Sequence, residues 1–494
     1  MNKRSSGILL HISSLPSSYG IGTLGRAAYE FIDLLADSKQ KYWQILPIGP
    51  TLYGDSPYQS PSAFAGNPYF IDVDLLISEG ILTERDCSDL FFGDDPERVD
   101  YGALYASRRI LFDRIARNFG KGDDAFASFC DNNFRWLDDY ALFHALKEEN
   151  GGRAWNTLSV DLKTRKSDAL SAAEERLSDK INKQKILQYL FFKQWKALRG
   201  YASEKGIKII GDMPIYVAYD SADVWSHPEL FKLSGDLGAA VVAGCPPDGF
   251  SPLGQRWGNP IYDWEGSREG LFSWWTSRIS HSLRIYDVLR IDHFRGFSDY
   301  YEIPAFEDTA VNGVWRKGPG IELFEHIKNE IGELPLIAED LGFLDSNVRG
   351  MLRESGFPGM KVLQFAFDSR EDNDYLPHNY TKNCVIYTGT HDNDTLVGWI
   401  NSAPKENLDR AKKYFGLPDD AGVGRIAEAF IRAAFSGVGD TAIIPIQDIL
   451  GLGSEARMNL PSSAEGNWKF RLPPDYLIKI GRKKLREYTE LYGR

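Results

Sequence analysis

Short, continuous apolar runs recur along the chain, each closed by polar or turn-forming residues. They sit in GILLHISSLP (7–16), YWQILPIGP (42–50), IKIIGDMPIYV (207–217), VLRIDHFRG (288–296), PLIAEDLG (335–342), KVLQFAF (361–367), CVIYTGTHDND (384–394) and TAIIPIQDILGLG (441–453). A strand covered on both faces by helices is apolar throughout, whereas a half-solvated strand alternates. These runs therefore predict eight parallel strands, at Ile8, Trp43, Ile209, Leu289, Leu336, Val362, Val385 and Ile443. Helical periodicity fills most of the gaps. Phe31, Leu34 and Leu35 share one face, and Leu187, Leu190, Phe191, Trp195 and Leu198 form the apolar stripe of a long amphipathic helix over residues 185–206. Further helices are predicted at 271–279, 323–331, within 404–435 and at 475–492. Alternation of strand and helix eight times over is the pattern of an α/β fold, a (β/α)₈ TIM barrel, here a single domain over residues 1–494.

Two gaps are too long for one helix. Residues 75–182, after the second strand, are charged and helical and read as an inserted helical subdomain. Residues 218–265, after the third, read as an inserted loop subdomain over the barrel mouth. Within it, residues 243–260 carry enough Gly and Pro to preclude regular structure. Residues 53–68, YGDSPYQSPSAFAGNP, form a second Gly/Pro/Ser-rich loop, with Tyr53, Tyr58 and Phe64. A structureless loop of that length in a compact protein is usually functional.

Composition narrows the partners. The chain has 494 residues, 43% of them hydrophobic and 26% charged, and a net charge of −12. That charge argues against nucleic acid or an anionic membrane as the main partner. Cys87, Cys130, Cys245 and Cys384 are scattered without CxxC spacing, which suits a reducing cytoplasm and offers no disulfide framework or zinc site. The basic start MNKRSSGILLHI loses its apolar run at Ile12, too short for a signal peptide. No stretch approaches the ~20 apolar residues that span a bilayer. A cytoplasmic protein is expected. The 12 Trp, 24 Tyr and 28 Phe are the compositional excess. Most must be core, but those in Gly/Pro-rich loops can stack on a flat ligand, and the acidic charge favours a sugar over a base.

Four predicted strands end in acids: Asp212, Asp292, Glu339 and Asp392. Strand ends of a closed barrel converge on one mouth, the face where such folds carry their chemistry. Arg290 lies two residues before Asp292, on the same side of its strand, and favours its ionised form. Crowded carboxylates raise one another's pKa, and two with separated values supply a nucleophile and a proton donor, as glycosidic cleavage requires. Each element has a plainer reading. Arg290 and Asp292 also suit a structural pair capping a core strand. Glu339-Asp340 also suits a metal site or a helix N-cap. Asp392-Asn393-Asp394 opens like a calcium loop, but Leu396 and Val397 stand where oxygen ligands and the turn glycine are needed. His391, Tyr58 and Trp257 also suit packing roles.

The segments VLRIDHFRG, LIAEDLG and YTGTHDND resemble those around the three catalytic acids of the α-amylase superfamily. GDMPIYVAYDSADVW, YGDSPYQSPSAFAGNP, PPDGFSPLGQRWGNP and RMNLPSSAEGNW resemble more narrowly the 4-α-glucanotransferases (amylomaltases, disproportionating enzymes) of glycoside hydrolase family 77, in order from Gly7 to about Trp468. The resemblance implies a transferase that moves α-1,4-glucan segments between malto-oligosaccharides through a covalent glucosyl-enzyme, with glucose as an acceptor; neither cofactor nor metal is expected, since no His/Cys cluster has ligand spacing and no phosphate loop occurs. The alternative is a hydrolase of the same superfamily. The resemblance further implies that Asp292 is the nucleophile, Glu339 the general acid/base, and Asp392 the acid that holds the sugar 2- and 3-hydroxyls. It makes Arg290 the residue that orients the nucleophile, His391 a donor to the same sugar, Asp212 an acid of that subsite, and Tyr58 a ring stacked at the cleavage point. Gln255 and Trp257 then lie on the loop over the acceptor, Asn459 in the substrate-binding RMNLP segment, and Tyr53 and Tyr101 at an outlying glucan contact. Gly249 stands where the family loop usually carries Tyr, and Phe250 and Trp257 are placed to shield the intermediate from water.

Overall fold

The computed structural model describes residues 4–120, 122–247, 251–342, 344–368, 373–461, 463 and 465–494. Among these are twelve strands: β1 (Ser5–Leu9), β2 (Tyr42–Gln44), β3 (Lys208–Pro214), β4 (Val241–Cys245), β5 (Gln255–Pro260), β6 (Val288–Asp292), β7 (Asp299–Pro304), β8 (Val314–Lys317), β9 (Leu336–Ala338), β10 (Gly359–Val362), β11 (Cys384–Tyr387) and β12 (Thr441–Pro445). Eight of them form one sheet in the order β10-β11-β12-β1-β2-β3-β6-β9. Every pair recorded in it is parallel. These are the eight predicted strands. The sheet's two ends meet where the Ala338 N–H donates to the Pro358 carbonyl at 3.0 Å and the Met360 N–H to the Asp340 carboxylate at 2.6 Å. Asp340 is thus occupied in joining the barrel's ends. The (β/α)₈ barrel is nearly closed, and its strands are buried along most of their length, as for β1, β11 and β12.

Two strands end away from their acids, β3 running past Asp212 to Pro214 and β11 stopping at Tyr387 before Asp392, and three further elements change character part-way. The run at 361–367 is strand only to Val362 and then turns as 3-10 helix over Leu363–Phe365. The last run leaves the sheet at Pro445 and continues as helix Ile446–Leu450. The C-terminal helix is interrupted at Ile480 and Gly481, between Tyr476–Lys479 and Arg482–Leu491. In the first two a largely buried run changes its backbone, and in the third a mostly exposed basic helix breaks before a glycine, neither of which periodicity alone reveals.

The larger correction concerns residues 243–260. They hold the last three residues of β4 and all of β5, which pair antiparallel and join β7 and β8 in a second sheet of order β5-β4-β7-β8. The glycines enable this pairing. A Cβ on Gly244 would lie 2.1 Å from the Gln255 carbonyl oxygen, and the register shifts between Val242 and Gly244 as at a bulge. Pro260 is tolerated because β5 is an edge strand.

After β2 the chain forms helices Tyr101–Asn118, Asp124–Glu149, Val160–Lys163 and Ser167–Arg176, then Ser178–Glu204, which runs unbroken through residue 182. Asp100 and Asp123 cap the first two with side-chain bonds to Ala103 N–H, and to Ala125 and Phe126 N–H. Leu187, Leu190, Phe191, Trp195 and Leu198 are all buried. Among the described residues no helix is long and apolar enough to cross a membrane.

Candidate active site

The register between β3 and β6 sets Asp212 beside Arg290 and Pro214 beside Asp292. Arg290 is nearly inaccessible and lies between two acids. Its Nη1 donates to both Asp212 oxygens at 2.8 Å and approaches Asp292 Oδ1 at 3.0 Å. The Asp212 side chain is fully buried at 0% exposure, while Asp292 keeps 28%. Tyr58 closes the group from above, its hydroxyl donating to Asp212 Oδ2 at 2.7 Å. Asp212 therefore lies under the floor of the mouth with its oxygens engaged, and Asp292 faces the opening.

Glu339 follows β9, and its backbone N–H donates to the Ile291 carbonyl at 3.0 Å, fixing it next to the end of β6. Its carboxyl accepts the His293 N–H at 2.7 Å and the Leu341 N–H at 2.8 Å. His293 has φ +54°, an uncommon conformation for a residue with a side chain. That backbone presents its N–H to Glu339.

Burial, then the charge of Asp292, pushes the Glu339 carboxyl up to about 7, against Arg290 and the two N–H donors. Burial also pushes Asp292 up, to about 6; Arg290 opposes it, and Asp212 and Asp392 add to it. The sequence expectation assigned Arg290 wholly to Asp292, but Asp212 takes two of its contacts. Arg290 still contacts Asp292 directly at 3.0 Å and favours the ionised form there.

A second wall comes from β11 and the C-terminal segment. Asp392 accepts a bond from Asn459 Nδ2 at 2.6 Å and lies 3.3 Å from His391 Nε2. The His391 ring stacks on Tyr58 at 5.0 Å and 16°. Trp468 stands 6.0 Å from both rings. Trp468 has φ +63°, and neither it nor His293 was singled out from sequence; a strained backbone at a bulky residue is invisible there. The third wall is β5. Trp257 donates to the Gln255 side chain at 3.1 Å and meets His293 edge-on at 4.8 Å.

The structure brings Tyr58, Asp212, Arg290, Asp292, Glu339, His391, Asp392, Asn459 and Trp257 to one mouth. Tyr53 is not among them; it is fully exposed, on a turn tied to the neighbouring helix by the Tyr105 hydroxyl on Asp55. Tyr101 reaches only the outer wall, donating to the Trp468 carbonyl at 2.9 Å. Gly249 and Phe250 lie outside the described residues. Asn393 and Asp394 bond within their own loop and to Ser454. Among the described residues no three His, Cys, Asp or Glu side chains are grouped to hold a metal ion.

The chain matches the family described as 4-alpha-glucanotransferase over residues 10–477. A 4-alpha-glucanotransferase from Clostridium butyricum is 49% identical, over 98% of this chain and 100% of its own length. One from Thermus thermophilus is 46% identical, over 99% of this chain and 98% of its own. The amylomaltase from Streptococcus agalactiae, solved in complex with acarbose, has a TM-score of 0.96 at 44% identity, with 100% of each chain covered. With the fold, the convergent acids and whole-length identity in agreement, the chain belongs to the 4-alpha-glucanotransferase family.

Proposed function

We propose that this chain disproportionates malto-oligosaccharides by two displacements at one anomeric carbon, with the roles divided among the residues of the mouth. Asp292 attacks the anomeric carbon of the donor while the bond to the leaving O4 breaks and Glu339 gives that oxygen its proton. A glucosyl ester on Asp292 results. Glu339, now ionised, takes the proton of an acceptor 4-hydroxyl, whose oxygen displaces Asp292. Two inversions return an α-linkage. The observation that carries this reading is geometric: Arg290 Nη1 stands 3.0 Å from the Asp292 carboxylate, whereas the neighbouring Glu339 carboxyl is held by the backbone N–H groups of His293 and Leu341.

Asp392, half-exposed and oriented by Asn459 and His391, is positioned to accept bonds from the donor sugar's hydroxyls. Arg290 and Asp212 hold Asp292 from below, and Gln255 and Trp257 cover the acceptor side. Residues 75–182 serve as a helical subdomain and 218–265 as the cover of the mouth. α-1,4-Glucans and malto-oligosaccharides are the donors and glucose the smallest acceptor. A cytoplasmic setting suits four cysteines among which the described residues form no disulfide. The hydrolase reading is not favoured, because the relatives are transferases along the whole chain. Incubation with maltotriose alone tests the proposal. Glucose together with maltopentaose and longer products is expected; only glucose and maltose would assign the chain to hydrolysis.

A further inference from the structure

The wall that carries Asn459 and Trp468 is not part of the barrel. It is irregular chain following the 3-10 turn Ser454–Ala456. Its backbone meets β11's loop through the Asn459 N–H on the His391 carbonyl, at 3.1 Å. The strongest further tie is Arg457. Its Nη2 donates to the Asp392 carbonyl at 2.7 Å and its Nε to the Asn459 carbonyl at 2.8 Å. These carbonyls belong to the two residues whose side chains bond to each other at 2.6 Å. One rigid guanidinium thus fixes the backbones on both sides of that bond. Arg457 also lines a cavity of about 30 Å³ behind His391, shared with His11, Asn393 and Gln447. There the buried His11 Nδ1 has no hydrogen-bond partner among the described residues, and Gln447 Nε2 reaches the Ala456 carbonyl at 3.3 Å.

We infer that Arg457 is a positioning residue that holds the Asp392–Asn459 pair in register and acts on the donor sugar only through it. This rests on the assignment of Asp392 to the donor sugar. A planar fork has two donors in fixed geometry, and a lysine ammonium cannot serve both carbonyls in the same way. R457K should therefore lower kcat/KM for maltotriose by about 10–100-fold while keeping the charge. In a D392N background the same change should add less than about twofold, because the two act as a unit. R457Q, with one amide donor, provides a second variant should R457K fold poorly, and melting curves report the folded fraction of each.

D392N with full activity would remove the underlying assignment. D392N impaired, with R457K or R457Q multiplying the loss in full, would overturn the positioning role alone. So would variants that melt earlier but show unchanged kcat/KM per folded molecule, which is the signature of a purely structural arginine. Loss in the single variant and near-silence in the double supports the inference.

Discussion

The walls on either side of Asp292 are built to different standards. On one side Tyr58, Asp212, Arg290, His391, Asp392 and Asn459 are joined by hydrogen bonds and ring contacts that run from β3 to the C-terminal segment. On the other, β5 touches the acid-bearing strands through the edge contact of Trp257 on His293. Its base is bolted, with Gln59 Nε2 on Asn259 Oδ1 at 3.1 Å and Asn259 Nδ2 on the Val217 carbonyl at 2.9 Å. Toward the tip, Leu253 is largely exposed. The difference matches the proposed chemistry. One sugar must stay fixed through two displacements, whereas leaving group and acceptor must exchange across the other wall. Preorganised groups cost no rearrangement at the moment of reaction, and a cover that must admit a second substrate cannot be equally fixed.

The largest test lies at the boundary between the walls. Asp292→Ala should reduce transfer by about 10⁴-fold or more. Glu339→Gln should spare the nucleophile, so that with α-glucosyl fluoride, which needs little protonation on leaving, a glucosyl adduct accumulates on the peptide bearing Asp292. Mass spectrometry that located the sugar on Glu339, or an inverted product, would reverse the assignment.

Acidity comes next. Activity needs Asp292 ionised and Glu339 protonated, so kcat/KM should be bell-shaped, with limbs near 6 and 7 that belong to the pair. Beyond each limb the rate should fall about tenfold per pH unit. Both carboxyls bind their proton more tightly folded than unfolded. The stability they contribute is complete below about pH 4 and is lost as pH rises through 6 and 7. Glu339→Gln should therefore melt above the native protein at pH 8 and no higher at pH 4. A native protein that stays ahead at pH 8 would contradict the raised carboxyl.

The fixed wall is tested by Tyr58→Phe, which removes the bond to Asp212. A loss of about 10–30-fold in kcat/KM is expected, equal for glucose and maltose as acceptors. Dependence on the acceptor would show that Tyr58 serves the other side. The smallest effect should come from the cover. Trp257→Ala is expected to cost about 3–10-fold, to vary with the acceptor, and to raise the share of donor lost to water. An unchanged ratio of hydrolysis to transfer would mean that Trp257 does not shield the intermediate.

Much of this was legible locally. VLRID, PLIAE and CVIYTGTHD announce buried strands that end in acids, because a strand covered on both faces admits polar residues only where it stops. The second sheet was not legible. DYYEIP mixes acids with its aromatics and all four residues of VWRK are exposed, so neither carries the continuous apolar run that marks the barrel strands. Gly and Pro in residues 243–260 signalled irregularity, when Gly244 was in fact admitting a neighbouring strand.

The sequence by itself determined the barrel, the number and order of its strands, and which acids lie at or near their ends. These follow from burial, which each residue's own polarity records. Only the tertiary structure decided how the charges are shared. Arg290 reads as the partner of Asp292, two residues away, but the parallel register of β3 against β6 delivers it equally to Asp212. In the same way Arg457 spans the Asp392 and Asn459 carbonyls, and Trp468 completes a wall with Tyr58 and His391. A donor near several acceptors bonds where packing brings it, and packing joins residues hundreds of positions apart that no local pattern connects.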